Sequence, residues 1–232
     1  MKSLPVTLSR TEFQRGLGLL AFSQLILPGL LIFLVQQLRI GLTNAEYNFA
    51  YFLINYLSAI ILFRKFLWAE LDVALGNTRR ILTSVAVSYA LYYMLSTGVS
   101  YLIHWISPEF LNLNDANIGT MSQDQFALVA VGTVILVPPA EELLFRGVLF
   151  NRIYQKHPIL AWVVSVVSFS LVHLLSYIGQ YSPLTFALAF LQYLPAGIAI
   201  CYAYVRSGTI FAPILFHTLV NAYAMYYQFT MR

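Results

Sequence analysis

Charged side chains are too scarce in this sequence to cover the surface of a soluble protein. Asp, Glu, Lys and Arg make up 9% of its 232 residues, whereas about 25% is usual in soluble domains. Hydrophobic residues make up 59%, and the mean hydropathy is +0.74. The apolar stretches are long and continuous rather than alternating, which excludes a membrane β-barrel. The composition therefore predicts an integral membrane protein built of α-helices.

Seven apolar segments are long enough to cross a bilayer, which takes about 20 residues each. They are Gly16–Leu38, Tyr47–Trp68, Ile81–Ile106, Phe126–Tyr154, Pro158–Ile178, Leu184–Val205 and Thr209–Phe229. The fourth contains Pro138 and Pro139 and is predicted to be kinked, because proline lacks the N–H that a helix needs. The sixth, with Pro195 and Gly197, is a candidate for a break. We predict an all-α polytopic bundle of about seven, or eight, transmembrane helices with a kinked fourth helix.

Basic residues predict the orientation, because cytoplasmic loops of membrane proteins carry an excess of Lys and Arg. A cytoplasmic N-terminus places 11 of the 13 basic residues inside, and Arg39 and Arg232 are the exceptions. The 11 are Lys2, Arg10, Arg15, Arg64, Lys65, Arg79, Arg80, Arg146, Arg152, Lys156 and Arg206. The polar segment 107–125 is then expected to be an outside loop. This pattern also explains the net charge of +4 without a nucleic-acid partner.

Two adjacent carboxylates, Glu141 and Glu142, follow the proline pair inside the fourth segment. A charge in hydrocarbon is costly unless it is paired or hydrated. Glu142 and Arg146 are four residues apart and can form an ion pair on one helix face. Glu141 lies about 100° around the helix and is left without a cation, which suits a general base or acid. The other acids are expected in loops or at span edges.

The proline pair also predicts a hydrated pocket. Pro138 and Pro139 remove the helical partners of the Val134 and Ile135 carbonyls, and such groups are tolerated at membrane depth where they line a cavity. The alternative is that Glu142–Arg146 only locks the helix and that Glu141 reaches the cytoplasmic interface.

Three further polar residues lie in the apolar segments that follow. His173 is in the fifth, and His217 and Asn221 are one turn apart in the seventh. Each one alone is more often a packing residue or an interhelical hydrogen bond. Together with a glutamate they supply what hydrolysis needs, namely a base for water and donors for an oxyanion.

In this order the motifs resemble those of the CAAX protease and bacteriocin-processing (CPBP) family of intramembrane endopeptidases. Residues 141–146 spell EExxxR, followed by Phe169-xxx-His173 and His217-xxx-Asn221. The resemblance implies a catalytic membrane core at 126–232, preceded by a three-helix segment at 1–125 without a recognisable motif.

The resemblance also implies a role for each motif residue. Glu141 would activate the attacking water with help from His173. Glu142 and Arg146 would support that geometry. His217 and Asn221 would polarise the scissile carbonyl and stabilise the oxyanion.

The family has been interpreted both as metalloproteases and as metal-free enzymes. A metal-dependent enzyme would bind zinc through Glu141, His173 and His217. We favour metal-free glutamate chemistry, which needs no cofactor, because Asn221 beside His217 suits an oxyanion site.

The implied substrate is a membrane-associated or lipidated peptide or protein, cleaved in a cavity open to the cytoplasm. Arg152 and Lys156 would place Glu141 near that side, and the compact chain suggests a prokaryotic cell membrane. His173, however, would lie about 22 Å along a helix that starts at Pro158, which requires a tilted helix or a deep cavity. Two alternatives stay open: a proton-coupled transporter, since Glu and His also form proton relays, and a non-enzymatic bacteriocin-immunity protein.

Overall fold

The computed structural model describes residues 3–230, which form eight helices and no strand. The helices are α1 (Arg10–Gln37), α2 (Asn44–Leu62), α3 (Arg64–Leu75), α4 (Thr78–Ile106), α5 (Leu113–Tyr154), α6 (Pro158–Val172), α7 (Pro183–Ser207) and α8 (Phe211–Thr230). A 3₁₀ turn, Leu175–Tyr177, follows α6. The predicted all-α membrane bundle is confirmed. Lys2 and Arg232, which entered the orientation argument, lie outside the described residues.

Four of these helices, α1, α4, α5 and α7, are long and apolar enough to cross a membrane. The pair α2 and α3 adds a fifth if it counts as one span, although it is bent by 77°. The helix α6 is apolar but shorter. The predicted second segment, Tyr47–Trp68, therefore contains a bend at Phe63, and its last residues belong to α3. The predicted sixth segment is not broken, because α7 continues through Pro195.

Local sequence signals define where several helices begin and end. Ser9 and Glu12 form a capping box at the start of α1, and Thr43 and Glu46 form another at the start of α2. Each box satisfies backbone N–H groups that have no partner inside the helix. Gly208 ends α7 with φ of 81°, a left-handed conformation that costs glycine little.

The connectivity gives the bundle two different ends. The basic end, as we call it, is where α5 and α7 finish and where α1, α4 and α8 begin. There Arg80 Nε donates to the Arg206 carbonyl at 2.6 Å, and Arg152 Nη1 donates to the Leu8 carbonyl at 3.2 Å. At the opposite end, called the far end, α2, α5 and α7 begin.

The first part of α5 corrects the prediction that the polar segment 107–125 is a loop. Residues 113–124 are helical, and the chain bends at Gln125, which has φ of −136° and ψ of 57°. The Leu113 N–H donates to Tyr181 Oη at 2.7 Å, and Asn117 Nδ2 donates to Tyr177 Oη at 2.9 Å. The polar segment therefore packs on the loop before α7.

Small residues allow α7 to run through the centre of the bundle, against α4, α6 and α8. Ala189, Ala199, Cys201 and Ala203 on α7 are completely buried. Small side chains let membrane helices approach closely, which increases van der Waals contact and exposes carbonyls to neighbouring helices.

Candidate active site

Two π-helical stretches flank the proline pair of α5, at Val131–Leu136 and Leu143–Asn151. In a π-helix each N–H bonds to the carbonyl five residues back, and the Val137 N–H accordingly donates to Gly132. The next residue, Pro138, has no N–H to offer the Thr133 carbonyl. Asn221 Nδ2 of α8 donates to that carbonyl instead, at 2.8 Å. The sequence predicted that the Val134 carbonyl would lose its helical partner. In the structure the carbonyl available to α8 is that of Thr133, one residue earlier.

Glu142 and Arg146 form the ion pair that their spacing predicts, and both are completely buried. Arg146 Nε lies 3.2 Å from Glu142 Oε2, and Arg146 Nη1 lies 3.3 Å from Glu142 Oε1. His217 Nδ1 of α8 is 2.8 Å from Glu142 Oε1. The Glu142 carboxylate therefore fixes the orientation of the His217 ring and leaves Nε2 as its other hydrogen-bonding atom.

Neighbouring helices hold the Arg146 guanidinium in place. It lies over the Phe169 ring of α6, 4.4 Å from the centroid, and Nη2 donates to the Gly197 carbonyl of α7 at 3.4 Å. A Cβ at position 197 would be 3.2 Å from Val166 Cγ1, so glycine permits the close approach of α6 and α7. Three helices thus constrain one buried ion pair.

The environment of Glu141, the residue before Glu142, is different. It borders a cavity of about 510 Å³, and its Oε2 is buried with no hydrogen-bond partner among residues 3–230. Because Arg146 is committed to Glu142, no Lys or Arg within the described part of the chain forms an ion pair with Glu141. A carboxylate oxygen is therefore left available to a molecule in the cavity.

The same cavity collects the other motif residues that sequence reasoning selected. Glu141 borders it from α5, His173 from the end of α6, and His217 and Asn221 from α8. Glu142 and Arg146 do not line it; they lie behind His217. The six residues thus divide into four that face the cavity and two that support them.

The hydrogen bond of His173 determines which of its nitrogens carries a proton. Nδ1 lies 2.8 Å from the Phe169 carbonyl, which can only accept, so Nδ1 is the donor. In the neutral ring Nε2 is then a free acceptor. The ring stacks on Tyr193 of α7, with centroids 4.5 Å apart.

Sequence reasoning missed the contribution of the first part of α5. Asp115 and Asn114 line the cavity, and both bond to the Tyr193 hydroxyl, at 3.3 and 3.0 Å. Tyr193 had a weak signal, as a polar residue within an apolar helix. Asp115 had none, since only the bend at Gln125 brings its segment to the cavity.

Glu70 is a second completely buried acid, which sequence reasoning did not single out. It lies on α3 and is completely buried. It accepts from the Tyr204 hydroxyl at 3.1 Å and from the Ile210 N–H at 2.9 Å. Asn151 Nδ2 donates to Tyr204 at 2.7 Å, and its Oδ1 accepts from the Leu8 N–H at 3.2 Å. No sequence signal marks this network, because it depends on the sharp bend before α3.

The candidate zinc ligands do not form a metal site in this arrangement. Within residues 3–230, no three His, Cys, Asp or Glu side chains are grouped so that they could hold a metal ion. The Nδ1 atoms of His173 and His217 bond to protein atoms, which leaves Nε2 of each ring as the atom that could reach a ligand. As placed, the three predicted ligands therefore do not surround a common metal position.

The position of the cavity differs from the expected one near Arg152 and Lys156. Its lining includes Asn48 near the start of α2, Asp115 near the start of α5 and Ser176 after α6. All three lie toward the far end. The helix α6 does start at Pro158, so the large distance from there to His173 reflects a site that opens at the far end.

Comparison with known proteins agrees with the motif order. Residues 123–223 match the family model of Rce1-like type II CAAX prenyl endopeptidases, a range that includes all six motif residues. No curated protein and no solved structure matches the chain. The resemblance to the CAAX protease family is therefore confirmed.

Proposed function

Because its motif-bearing part belongs to the CAAX protease family, we propose that this chain hydrolyses a peptide bond of a membrane-associated or lipidated peptide or protein. The observation that supports this proposal most directly is the shared cavity of Glu141, His173, His217 and Asn221. Hydrolysis needs a base for water, a second group for proton transfer and donors for the oxyanion. The four side chains offer these chemical functions.

In the proposed reaction, the Glu141 carboxylate takes a proton from a water molecule, which His173 Nε2 helps to orient. The water oxygen attacks the scissile carbonyl carbon and forms a C–O bond. The tetrahedral intermediate then collapses, the C–N bond breaks, and the proton held by Glu141 passes to the leaving nitrogen. One water is consumed, and a carboxylic acid and an amine are formed.

The oxyanion would be stabilised from α8. His217, when protonated on both nitrogens, donates Nδ1–H to Glu142 and Nε2–H to the oxyanion. The Asn221 amide is held beside it by the Thr133 carbonyl. Such preorganised donors stabilise charge that develops only in the transition state. Glu142 and Arg146 are positioning residues, since they act on the substrate only through His217.

The test is a cleavage assay with purified protein in lipid vesicles and a membrane-anchored peptide carrying a fluorophore and a quencher. Glu141→Gln should reduce cleavage by at least about 10²-fold, the lower range for loss of acid–base catalysis, without changing the melting temperature. The matched control is Glu70→Gln, which alters a buried carboxylate away from the cavity and should leave the cleavage rate per folded molecule unchanged. Undiminished cleavage by folded Glu141→Gln would contradict the mechanism.

Two further readouts separate the alternatives. Metal-free chemistry predicts that cleavage continues after dialysis against a chelator, whereas a zinc enzyme would lose activity and regain it with zinc. A proton-coupled transporter would instead show substrate flux into the vesicles with no cleaved peptide. A non-enzymatic immunity protein would show neither.

A further inference from the structure

The distribution of positive charge gives the bundle a clear orientation. Nine Lys and Arg side chains among residues 3–230 lie at the basic end or in the connections there, and only Arg39 lies at the far end. The nine are Arg10, Arg15, Arg64, Lys65, Arg79, Arg80, Arg152, Lys156 and Arg206. Since Lys and Arg are retained on the cytoplasmic side, the basic end is the cytoplasmic one.

The cavity lies toward the opposite end of the bundle, the far end. Its lining includes Asn48, Asn114, Asp115 and Ser176, which come from helix ends and a loop at the far end, and Asp115 and Ser176 are exposed there. The polar first part of α5 and the loop 173–182 surround it. Water and a polar peptide can therefore approach Glu141 from the far end.

Close packing blocks the route from the basic end. Leu143, Phe145 and Phe150 are buried to at least 99% between the Glu142 position and that end. Beyond them, Glu70 and Tyr204 form a satisfied hydrogen-bond network. A peptide could reach Glu141 from the cytoplasm only by displacing this core.

From these two observations together we propose that the active site opens to the extracytoplasmic side. Its substrates are then peptides whose scissile bond is presented at the outer face, such as exported or membrane-inserted segments, and not lipidated tails on the cytoplasmic face. The part of this inference that concerns substrates rests on the proposed endopeptidase function. The orientation of the cavity can be measured without any cleavage.

Cysteine labelling tests the orientation directly. Cys201 is completely buried, so the native protein serves as the unlabelled reference. Ser176→Cys and Gln180→Cys place thiols at exposed positions of the far end, and Thr78→Cys places one at an exposed position of the basic end. A membrane-impermeant maleimide is applied to bacterial cells with a permeabilised outer membrane and, separately, to inverted membrane vesicles.

Labelling of Ser176→Cys or Gln180→Cys in cells, with Thr78→Cys labelled only in inverted vesicles, is the expected result. The reverse pattern, labelling of both ends from one side, or no labelling of either far-end cysteine in cells would each overturn the proposal. None of these outcomes affects the chemistry assigned to Glu141.

A second arm uses two single-span reporter peptides with the same cleavable segment, displayed outside the membrane in one and inside in the other. The wild-type protein should cut the outward reporter and leave the inward one intact. Cleavage of the inward reporter alone would overturn the orientation while supporting protease function. Cleavage of neither reporter, or equal cleavage by Glu141→Gln, would count against the protease function itself, and the labelling result would then still decide the orientation.

Discussion

Two carboxylates among residues 3–230 are completely buried, Glu142 and Glu70, and they differ in what surrounds them. Glu142 is paired with the Arg146 guanidinium and holds His217, whose ring borders a cavity. The Glu70 carboxylate accepts from neutral donors, the Tyr204 hydroxyl and the Ile210 N–H, and neither of these residues lines that cavity. Complete burial of an acid therefore does not mark an active site in a membrane bundle. The distinguishing features are a neighbouring cavity and a second carboxylate, Glu141, whose buried Oε2 has no hydrogen-bond partner among the described residues.

The largest effect on stability is expected from Arg146→Met. It leaves the Glu142 charge buried without its cation, which costs about 3–5 kcal/mol. The double variant Glu142→Leu/Arg146→Met should regain most of that stability and remain inactive. Thermal unfolding in detergent and the vesicle cleavage assay measure the two properties. If the double variant is as unstable as Arg146→Met, the loss does not come from the uncompensated charge.

The next largest effect is a loss of rate. Asn221→Ala removes the proposed oxyanion donor and should lower the cleavage rate by about 10²–10³-fold, with a stability loss of only about 0.6 kcal/mol. Asn77→Ala is the matched control, because Asn77 also donates to a backbone carbonyl, that of Val73, at 2.8 Å. Its cleavage rate should match the wild type. A similar loss of rate in both variants would indicate a general structural effect.

Glu70→Ala tests the buried carboxylate that lies away from the cavity. It leaves the buried Ile210 N–H and Tyr204 hydroxyl without their acceptor, which costs about 1–3 kcal/mol. The cleavage rate per folded molecule should be unchanged, because Glu70 does not contact the cavity. The melting temperature and the rate after correction for folded protein are the measurements. A loss of rate beyond the folded fraction would connect the two carboxylate clusters functionally.

The smallest effect is expected from Tyr193→Phe, which keeps the ring stacked on His173 and removes the hydroxyl bonded to Asp115. The stability loss should be about 0.5–1.5 kcal/mol, the usual net value of a hydrogen bond. Tyr204→Phe makes the same change in the Glu70 cluster. We expect only the Tyr193 variant to alter the dependence of the cleavage rate on pH, since only it neighbours His173. Identical pH profiles for the two variants would show that the hydrogen bond between Tyr193 and Asp115 has no effect on the reaction.

Local patterns were sufficient for much of the helical framework. The apolar segments correspond to helices, and the Glu142–Arg146 pair follows from four-residue spacing on one face. The spacing of His217 and Asn221 likewise placed both on one side of α8. In each case the geometry of a single helix determines which side chains share a face, so no long-range information was needed.

Features that depend on bends could not be predicted in the same way. The 77° turn between α2 and α3 buries Glu70, and the bend at Gln125 brings Asp115 to the cavity. The π-helical register moved the available carbonyl from Val134 to Thr133. A bend or a register shift is a small local change, and it redirects every residue that follows.

The sequence by itself determined the membrane environment and the helical class, and it singled out the residues proposed to carry the chemistry, because scarce charge makes acids within an apolar segment conspicuous and helical spacing relates near neighbours. Only the tertiary structure decided that Glu141, His173, His217 and Asn221 border one cavity, and that this cavity opens at the far end. Those properties arise from packing between α5, α6 and α8, which are separated in sequence. The physical reason is that helix periodicity relates residues within one helix, whereas the direction in which a cavity opens depends on how several helices pack together.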